Sequence, residues 1–391
     1  MKIYTSKLAP VPVVERSVFS FVLGDVKEQD QTSVAFVDAA SGRELTRADL
    51  RRLSLELAWG LRNELPKHGG PTLRRGDTVL IFSPNSLAYP VVLLGGFAAG
   101  LTVSLANSAY QPAEIAHQFT DSRHVFDSFQ MNFSNSCVCC SAKVIFVHPA
   151  LLPVVLKMFE QLKISLDEAK KKIVVMGWNE KDKGPSGFLQ LEELFGKGRL
   201  NAEEKFDGKD ADSTTLLCYS SGTTGRPKGV ETTHKNLGTM MLMQQRAIDL
   251  VSDDKLIGLL PFYHIYGLTN VLLYPIYVGF PVVIMSGFEP VSFCKYIEQY
   301  GITLAYIVPP IFVVLARHPA VTQYSLKTLR ILVSGAAPLR ESLVKAVSAR
   351  LESLGSNPIT FAFALGVYST FSLFALSLSS RLRIFPAALR N

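Results

Sequence analysis

The residues best suited to chemistry lie in one short segment, 219–230, which combines hydroxyl side chains, glycines and a lysine. It reads Tyr-Ser-Ser-Gly-Thr-Thr-Gly-Arg-Pro-Lys-Gly-Val. Hydroxyl groups and unhindered backbone N–H groups can surround a polyphosphate, and glycine lets the backbone approach an anion closely. Lys228 supplies a mobile positive charge for phosphate oxygens. The segment therefore predicts a polyphosphate-binding loop, although a generic Ser/Gly tract is usually a flexible surface loop.

This loop differs from the common P-loop in the residues around its lysine. The P-loop pattern places Ser or Thr after a Gly-Lys pair and leads into a helix. Here Lys228 follows Pro227 and precedes glycine. Because proline fixes its own φ and pushes Arg226 toward extended geometry, we expect the loop to join two strands, at 216–219 and 230–232.

The elements that must position this loop alternate between strands and helices from residue 78 onward. Short apolar runs such as 78–82 and 144–147 predict buried strands. Longer amphipathic segments that begin at proline and end before glycine, such as 290–300, predict helices. This alternation predicts an α/β fold with parallel sheets covered by helices on both faces.

Composition excludes several classes of protein. Of the 391 residues, 48% are hydrophobic and 19% are charged, which predicts an ordered globular protein with a large core. The net charge of +7 is spread along the chain, so a nucleic-acid partner is not expected. Cys137, Cys139 and Cys140 cluster, but no histidine follows them at zinc-finger spacing, so we predict no metal site there.

The compartment expected from the sequence is cytoplasmic. The cysteines form no disulfide framework, which favours a reducing environment. The N-terminal residues lack the apolar core of a secretory signal. The C-terminus reads Leu389-Arg390-Asn391, so it carries no peroxisomal Ser-Lys-Leu signal.

Four motifs together resemble the adenylate-forming (AMP-dependent synthetase/ligase) superfamily. The loop motif is followed by His-Lys-Asn-Leu at 234–237, and three further segments agree in order and spacing. They read Pro-Phe-Tyr-His-Ile-Tyr-Gly-Leu at 261–268, Val-Pro-Pro-Ile at 308–311 and Ser-Gly-Ala-Ala-Pro-Leu at 334–339. The similarity runs from about Gly76 to about Leu351 and is closest to 4-coumarate–CoA-ligase-like acyl-CoA synthetases.

This resemblance implies an ATP-dependent, AMP-forming acid–thiol ligase whose N-terminal domain contains layered parallel-sheet subdomains. Such enzymes join a small carboxylic acid to the α-phosphate of ATP, with Mg²⁺ as the main counter-charge, and CoA then attacks the acyl-adenylate. His264 and Lys228 would be catalytic, and no residue is assigned as a metal ligand. His234 would only cap or buttress a helix. The residues implied for the β- and γ-phosphates are Ser220, Ser221, Gly222, Thr223, Thr224, Gly225 and Lys228. Those implied for the adenine side are Gly335, Ala336, Ala337 and Pro338, and those for the acyl tunnel and carboxylate are Tyr263, His264 and Gly267.

The sequence also departs from the family pattern. Gly366-Val-Tyr368 stands where the family has aromatic-Gly-x-Thr-Glu, but no Thr-Glu follows it. The ribose-binding Thr-Gly-Asp and the small C-terminal domain with its lysine have no counterpart either. We therefore expect residues 1–355 to be the N-terminal domain of such a ligase. A catalytically impaired fragment that at most binds nucleotide remains an alternative.

Two stretches break the alternating pattern. Residues 123–141 lack any helical or strand period, and removing them would restore a helix–turn–strand step, so we hypothesise a retained intron. Residues 356–391 form an atypical tail, of which 359–379 is apolar and long enough to cross a bilayer, a distance that takes about 20 residues. Arg381 and Arg383 would favour a cytoplasmic C-terminus. This tail could tether the chain to a membrane, but Ser and Thr dilute its apolarity, which favours a non-native tail from altered splicing or read-through.

Overall fold

The computed structural model of the chain divides it into two compact units, which are described separately. The C-terminal unit comprises Met1–Val13, Thr32–Thr46 and Gly238–Asn391, and the N-terminal unit comprises Val14–Gln31 and Arg47–Leu237. The structure describes residues 10–24, 32–121, 142–178, 183–220, 227–248, 250–251, 253–367 and 370–374, with side chains as far as residue 362. The irregular stretch 123–141 lies outside these residues.

Strands and helices alternate along most of the chain. The strands are β1 Val34–Asp38, β2 Glu44–Thr46, β3 Thr78–Phe82, β4 Thr102–Ala106, β5 Val144–Val147, β6 Ile173–Val175, β7 Leu189–Gln190, β8 Thr214–Ser220, β9 Lys228–Thr233, β10 Leu256–Gly258, β11 Val282–Ile284, β12 Leu304–Ile307, β13 Ile331–Ser334, β14 Thr360–Val367 and β15 Thr370–Phe374. The α-helices are α1 Val18–Leu23, α2 Arg47–Asn63, α3 Ala88–Ala98, α4 Pro112–Asp121, α5 Leu152–Gln161, α6 Leu166–Lys170, α7 His234–Ala247, α8 Ile265–Gly267, α9 Tyr274–Val278, α10 Pro290–Tyr300, α11 Pro309–Arg317 and α12 Glu341–Ser353. A π-helix, Leu268–Leu273, connects α8 to α9.

Among its described residues, the N-terminal unit is built on a seven-stranded sheet in the order β7-β6-β5-β3-β4-β8-β9. Neighbouring strands are parallel except for β8 and β9, which form an antiparallel hairpin. Every residue of β3, β4 and β5 is buried. Such continuous apolar strands are typical of a parallel sheet covered on both faces. The predicted α/β class and the two strands predicted on either side of the loop are therefore confirmed.

The part of the C-terminal unit that the structure describes contains an eight-stranded sheet in the order β15-β14-β13-β12-β10-β11-β1-β2. All neighbours from β14 to β1 are parallel, and the two outer strands run antiparallel. The buried Asp254 ties the amino ends of three strands together. It pairs with Arg330 and accepts a hydrogen bond of 2.6 Å from the Thr303 hydroxyl. Asp254, Thr303 and Arg330 precede β10, β12 and β13, so these contacts lie at the opposite ends of the strands from their carboxyl ends.

The described part of the C-terminal tail does not form the membrane-spanning segment considered as one possibility for residues 359–379. It forms β14, which pairs in parallel with β13, and β15, which turns back along β14. A strand with an open edge exposes a row of unpaired backbone groups, and an adjacent segment rich in Phe and Thr can satisfy them. Each helix within the described ranges is too short or too polar to cross a bilayer.

Candidate functional site

The predicted phosphate loop lies between the two strands of the β8–β9 hairpin. Ser220 ends β8 and Lys228 begins β9, and the two residues face each other in the register of the hairpin. Lys228 is exposed and Ser220 is half-buried. The other predicted phosphate residues, which lie outside the described residues, are Ser221, Gly222, Thr223, Thr224 and Gly225. The hairpin thus brings a hydroxyl and a cation together at the mouth of the loop.

The glycine beside the lysine, Gly229, packs closely against the facing strand of the hairpin. A Cβ atom on Gly229 would lie 3.2 Å from the ring of Tyr219, which is its partner across the hairpin. This spacing is tighter than ordinary van der Waals contact. A side chain at position 229 would therefore force the Tyr219 ring to shift by a few tenths of an ångström.

His234, which follows the hairpin and begins α7, is a buried structural residue. Its Nδ1 accepts a hydrogen bond of 3.1 Å from the backbone N–H of Val18, and its ring stacks on Phe206 at 4.4 Å. Burial, reinforced by the positive charge of Arg75, lowers the pKa of His234 from 6.5 to about 4, although Asp207 opposes the shift. Of the two roles left open for His234, buttressing agrees with these contacts.

The depressed pKa of His234 predicts a stability loss in acid. The unfolded chain takes up this proton near pH 6.5 and the folded chain only near pH 4, so stability is complete above pH 6.5 and falls between the two values. The expected contribution is about 3 kcal/mol. The variant His234→Asn keeps an acceptor for Val18 but cannot titrate. Urea unfolding across this pH window measures the effect. The free energy of unfolding of His234→Asn should fall less steeply with decreasing pH than that of the unaltered chain, and an equal slope would contradict the depressed pKa of His234.

The C-terminal unit brings three predicted motifs to one sheet edge. The segment 261–268 follows β10, 308–311 follows β12, and the turn at 335–338 follows β13 directly. These three strands are neighbours and run parallel, so their carboxyl ends lie on the same edge. In open α/β sheets, ligands bind outside the carboxyl ends of the strands. The shared edge is the strongest structural evidence for a site in this unit.

His264 lies in the middle of the first of these segments and caps α8. Its Nδ1 accepts a hydrogen bond of 3.1 Å from the backbone N–H of Tyr266. Since Nδ1 is an acceptor, the proton of the neutral ring lies on Nε2. Desolvation lowers the pKa of His264 below 6.5, although the residue remains exposed overall. A neutral imidazole with an Nε2–H donor is therefore the form expected at neutral pH.

The two predicted glycines of this unit permit two different close contacts. A Cβ atom on Gly267 would lie 2.8 Å from the backbone carbonyl carbon of Pro261 and closer still to its oxygen. A Cβ atom on Gly335 would lie 2.5 Å from the hydroxyl of Tyr266. Gly335 is buried, and Tyr263 is half-buried. The tyrosine ring thus links the His264 segment to the turn after β13.

The turn after β13 holds an unusual backbone conformation. Ala336 has a φ of 67°. Among the described residues other than glycine, it is one of two with a positive φ. Such conformations are uncommon outside glycine and cluster at functional sites. Of the four residues predicted for the adenine side, Ala336, Ala337 and Pro338 are exposed and Gly335 is buried.

Two functional candidates were missed by sequence reasoning. Tyr266 and Asn270 are buried, and within the described residues the Tyr266 hydroxyl and the Asn270 side-chain oxygen have no hydrogen-bond partner. Burial raises the pKa of Tyr266. Asn270 lies in the π-helix, and such irregular turns are frequent at functional sites. The available signal was the polar Thr269-Asn270 pair inside an apolar helix.

The motifs and the sheets together define an α/β domain of the adenylate-forming type. The chain belongs to the family described as AMP-binding enzyme, whose model matches residues 25–365. Its relative 4-coumarate:CoA ligase 1 from Petunia hybrida is 30% identical over 351 residues, which are 88% of this chain and 57% of the petunia protein. The chain spans about half the length of the curated relatives it matches.

Solved structures share this fold at low sequence identity. The anthranilate CoA ligase AuaEII in complex with anthranoyl-AMP matches with a TM-score of 0.71 and 20% identity, covering 93% of this chain and 62% of that chain. ATP-bound MatB from Rhodopseudomonas palustris matches with a TM-score of 0.65 and 22% identity, covering 90% of this chain and 59% of that chain. At these identities the likeness supports the N-terminal-domain fold of adenylate-forming enzymes.

Proposed function

We propose that this chain activates a small carboxylic acid with ATP and transfers the acyl group to CoA. The observation that carries the proposal is that three family motifs follow the carboxyl ends of the neighbouring parallel strands β10, β12 and β13. The hairpin of the N-terminal unit adds a hydroxyl and a lysine on either side of a Gly-rich loop. Family membership and these two arrangements favour an acyl-CoA ligase over a protein that only binds nucleotide.

The proposed first step joins the acid to the nucleotide. A carboxylate oxygen attacks the α-phosphorus of ATP, the bond to the β-phosphate oxygen breaks, and pyrophosphate leaves. In the second step the thiolate of CoA attacks the acyl carbon and AMP leaves. The carboxylate is a weak nucleophile and ATP is a polyanion, so positioning and charge neutralisation supply most of the rate.

Each predicted residue has a role in this scheme. Lys228 and the loop from Ser220 hold the β- and γ-phosphates, and His264 lies near the carboxylate and the α-phosphate with its Nε2–H as the single donor of the neutral ring. The turn at 335–338 lies along the adenine, and Tyr263 and Gly267 border the acyl group.

Among the residues that the structure describes, no group of three or more His, Cys, Asp or Glu side chains could hold a metal ion. Mg²⁺ enters the proposed reaction as its complex with ATP.

Buried polar groups support an aryl acid with a hydrogen-bonding substituent. The Tyr266 hydroxyl and the Asn270 side-chain oxygen lack partners among the described residues, and a buried polar atom without a partner costs about 1–3 kcal/mol. A substrate hydroxyl or amine could supply that partner. The acids named for two matched proteins, 4-coumarate and anthranilate, are aryl acids that carry such a group. Medium-chain fatty acids are the contrasting class.

Pyrophosphate release tests the proposal. The chain is incubated with ATP and Mg²⁺, alone and with hydroxycinnamic, aminobenzoic and medium-chain fatty acids. We expect release that depends on an acid and is fastest with a substituted aryl acid. The absence of Thr-Glu after Gly366-Val-Tyr368 favours one alternative, a domain that binds nucleotide without turnover. Thermal protection by ATP without any release would support that alternative and contradict ligation.

A further inference from the structure

Helix α4 contacts both ends of the phosphate loop. The Nε2 of His117 lies 3.0 Å from the carbonyl oxygen of Pro227, the residue directly before Lys228. The hydroxyl of Tyr219, the residue directly before Ser220, donates a hydrogen bond of 3.2 Å to the Asp121 carboxylate. His117 and Asp121 are four residues apart, so they share one face of the helix. One helical face thus holds the residue on each side of the loop.

The chemistry of these contacts fixes the form of the histidine. A carbonyl oxygen can only accept a hydrogen bond, so the Nε2 of His117 carries a hydrogen and donates the hydrogen bond to the Pro227 carbonyl. The imidazole ring also stands edge-on to the Tyr219 ring, with centroids 6.4 Å apart and planes at 86°. This edge-to-face geometry is a favoured arrangement for aromatic rings. His117 therefore contacts the loop on both of its flanks.

The resulting arrangement holds the residues that flank the loop, Tyr219 and Pro227, before any ligand binds. Bringing the ends of a flexible segment together costs conformational entropy, and a binding loop whose ends are already fixed loses less freedom when the ligand arrives. Proline at 227 has no N–H and a fixed φ, so its carbonyl is a stiff point of attachment immediately before the lysine. A hydrogen bond to that carbonyl constrains where the backbone of Lys228 begins.

We propose that His117 is a positioning residue of the phosphate-binding hairpin, with Asp121 as its counterpart on the other flank. Through the Pro227 carbonyl it holds the start of β9 and hence the direction from which Lys228 reaches phosphate. This inference rests on the proposed function for its effect on ATP. The restriction of the hairpin itself can be measured without ligand.

Hydrogen–deuterium exchange of the ligand-free chain measures that restriction. His117→Leu removes the donor, His117→Gln keeps an N–H donor, and the exposed His68→Leu is the matched control in the same unit. We expect the peptide 219–233 to exchange faster in His117→Leu than in the unaltered chain. In His117→Gln and His68→Leu its exchange should be unchanged. Tyr219→Phe, which removes the hydrogen bond from the tyrosine hydroxyl to Asp121, should also accelerate that peptide, and it tests the Asp121 flank if His117→Leu fails to fold. Unchanged exchange in the folded variants, or equal acceleration in His117→Leu and His117→Gln, would overturn the proposal.

Calorimetric titration with ATP and with adenosine measures the effect on the site. His117→Leu should weaken ATP binding about fivefold and leave adenosine binding unchanged, and His117→Gln should restore ATP binding to within about twofold. Equal losses for both ligands would contradict a phosphate-specific role. If the unaltered chain binds no ATP, the proposed function fails, whereas the exchange experiment still decides whether His117 holds the hairpin.

Discussion

Replacing Lys228 with alanine is expected to weaken ATP binding by between about ten- and a hundredfold. A hydrogen bond to a charged group contributes about 1.5–3 kcal/mol, and each 1.4 kcal/mol corresponds to a factor of ten in affinity. Lys228 is exposed at the start of β9 and faces Ser220 across the hairpin, so its ammonium group can reach phosphate oxygens. The dissociation constant for Mg·ATP, measured by calorimetry, checks the prediction.

The control for Lys228→Ala is Lys157→Ala, which removes the same charge from an exposed position on α5 in the same unit. Loss of net charge alone would weaken ATP binding equally in both variants. Adenosine, which lacks phosphate, should bind Lys228→Ala as it binds the unaltered chain. An unchanged ATP affinity in Lys228→Ala would remove the proposed role of this side chain.

Replacing Gly267 with alanine is expected to destabilise the C-terminal unit by about 3 kcal/mol, the upper end of the usual cost of overpacking. The added Cβ would collide with the backbone carbonyl of Pro261, which cannot rotate away as a side chain can. The collision would also displace the segment that carries His264. The free energy of unfolding in urea measures the stability change, and the pyrophosphate assay measures the functional one.

Gly287→Ala provides the matched control for Gly267→Ala. A Cβ atom at Gly287 would meet no atom of the described residues within 4 Å, and this glycine lies in the same unit. Its effect on stability should stay within about 0.5 kcal/mol, as for most open surface positions. If Gly267→Ala and Gly287→Ala unfold at the same urea concentration, the close contact with Pro261 is not a constraint on the fold.

The elements around the phosphate loop could be predicted from local sequence. Pro227 lacks an N–H and has a fixed φ, and those two facts predicted a strand after the loop rather than the helix of a P-loop. The structure has β9 from Lys228 to Thr233. Continuous apolar runs likewise predicted the buried parallel strands, because a strand covered on both faces needs no alternation.

Long-range pairing could not be predicted in the same way. The first two strands precede the region where the alternating pattern begins, and β1 joins the C-terminal unit by pairing Phe36 with Val282. No local pattern identifies a partner that distant in the chain. The apolar tail was ambiguous for a related reason. Whether residues 360–367 become helix or strand depends on the open edge of β13, which their own sequence does not contain.

The candidate site shows the same division. His264 and the loop residues belong to motifs that can be recognised in the sequence, whereas Tyr266 is a candidate only because of its contacts in the fold. Its ring packs against Gly335, about seventy residues further along the chain, and its hydroxyl lacks a partner among the described residues. The contact of His117 with Pro227 is likewise a tertiary contact. Such residues are found from the fold, since their types alone are ordinary for buried or helical positions.

The transfer of an oxygen atom from the acid to AMP tests the central claim most directly. The chain is given ATP, Mg²⁺ and a substituted aryl acid labelled with ¹⁸O in its carboxylate, with CoA or hydroxylamine as the acyl acceptor, and the AMP is analysed by mass spectrometry. Attack of the carboxylate on the α-phosphorus predicts that AMP carries one ¹⁸O atom and that pyrophosphate carries none. Unlabelled AMP, or pyrophosphate formed equally well without acid, would contradict acyl-adenylate formation by this chain.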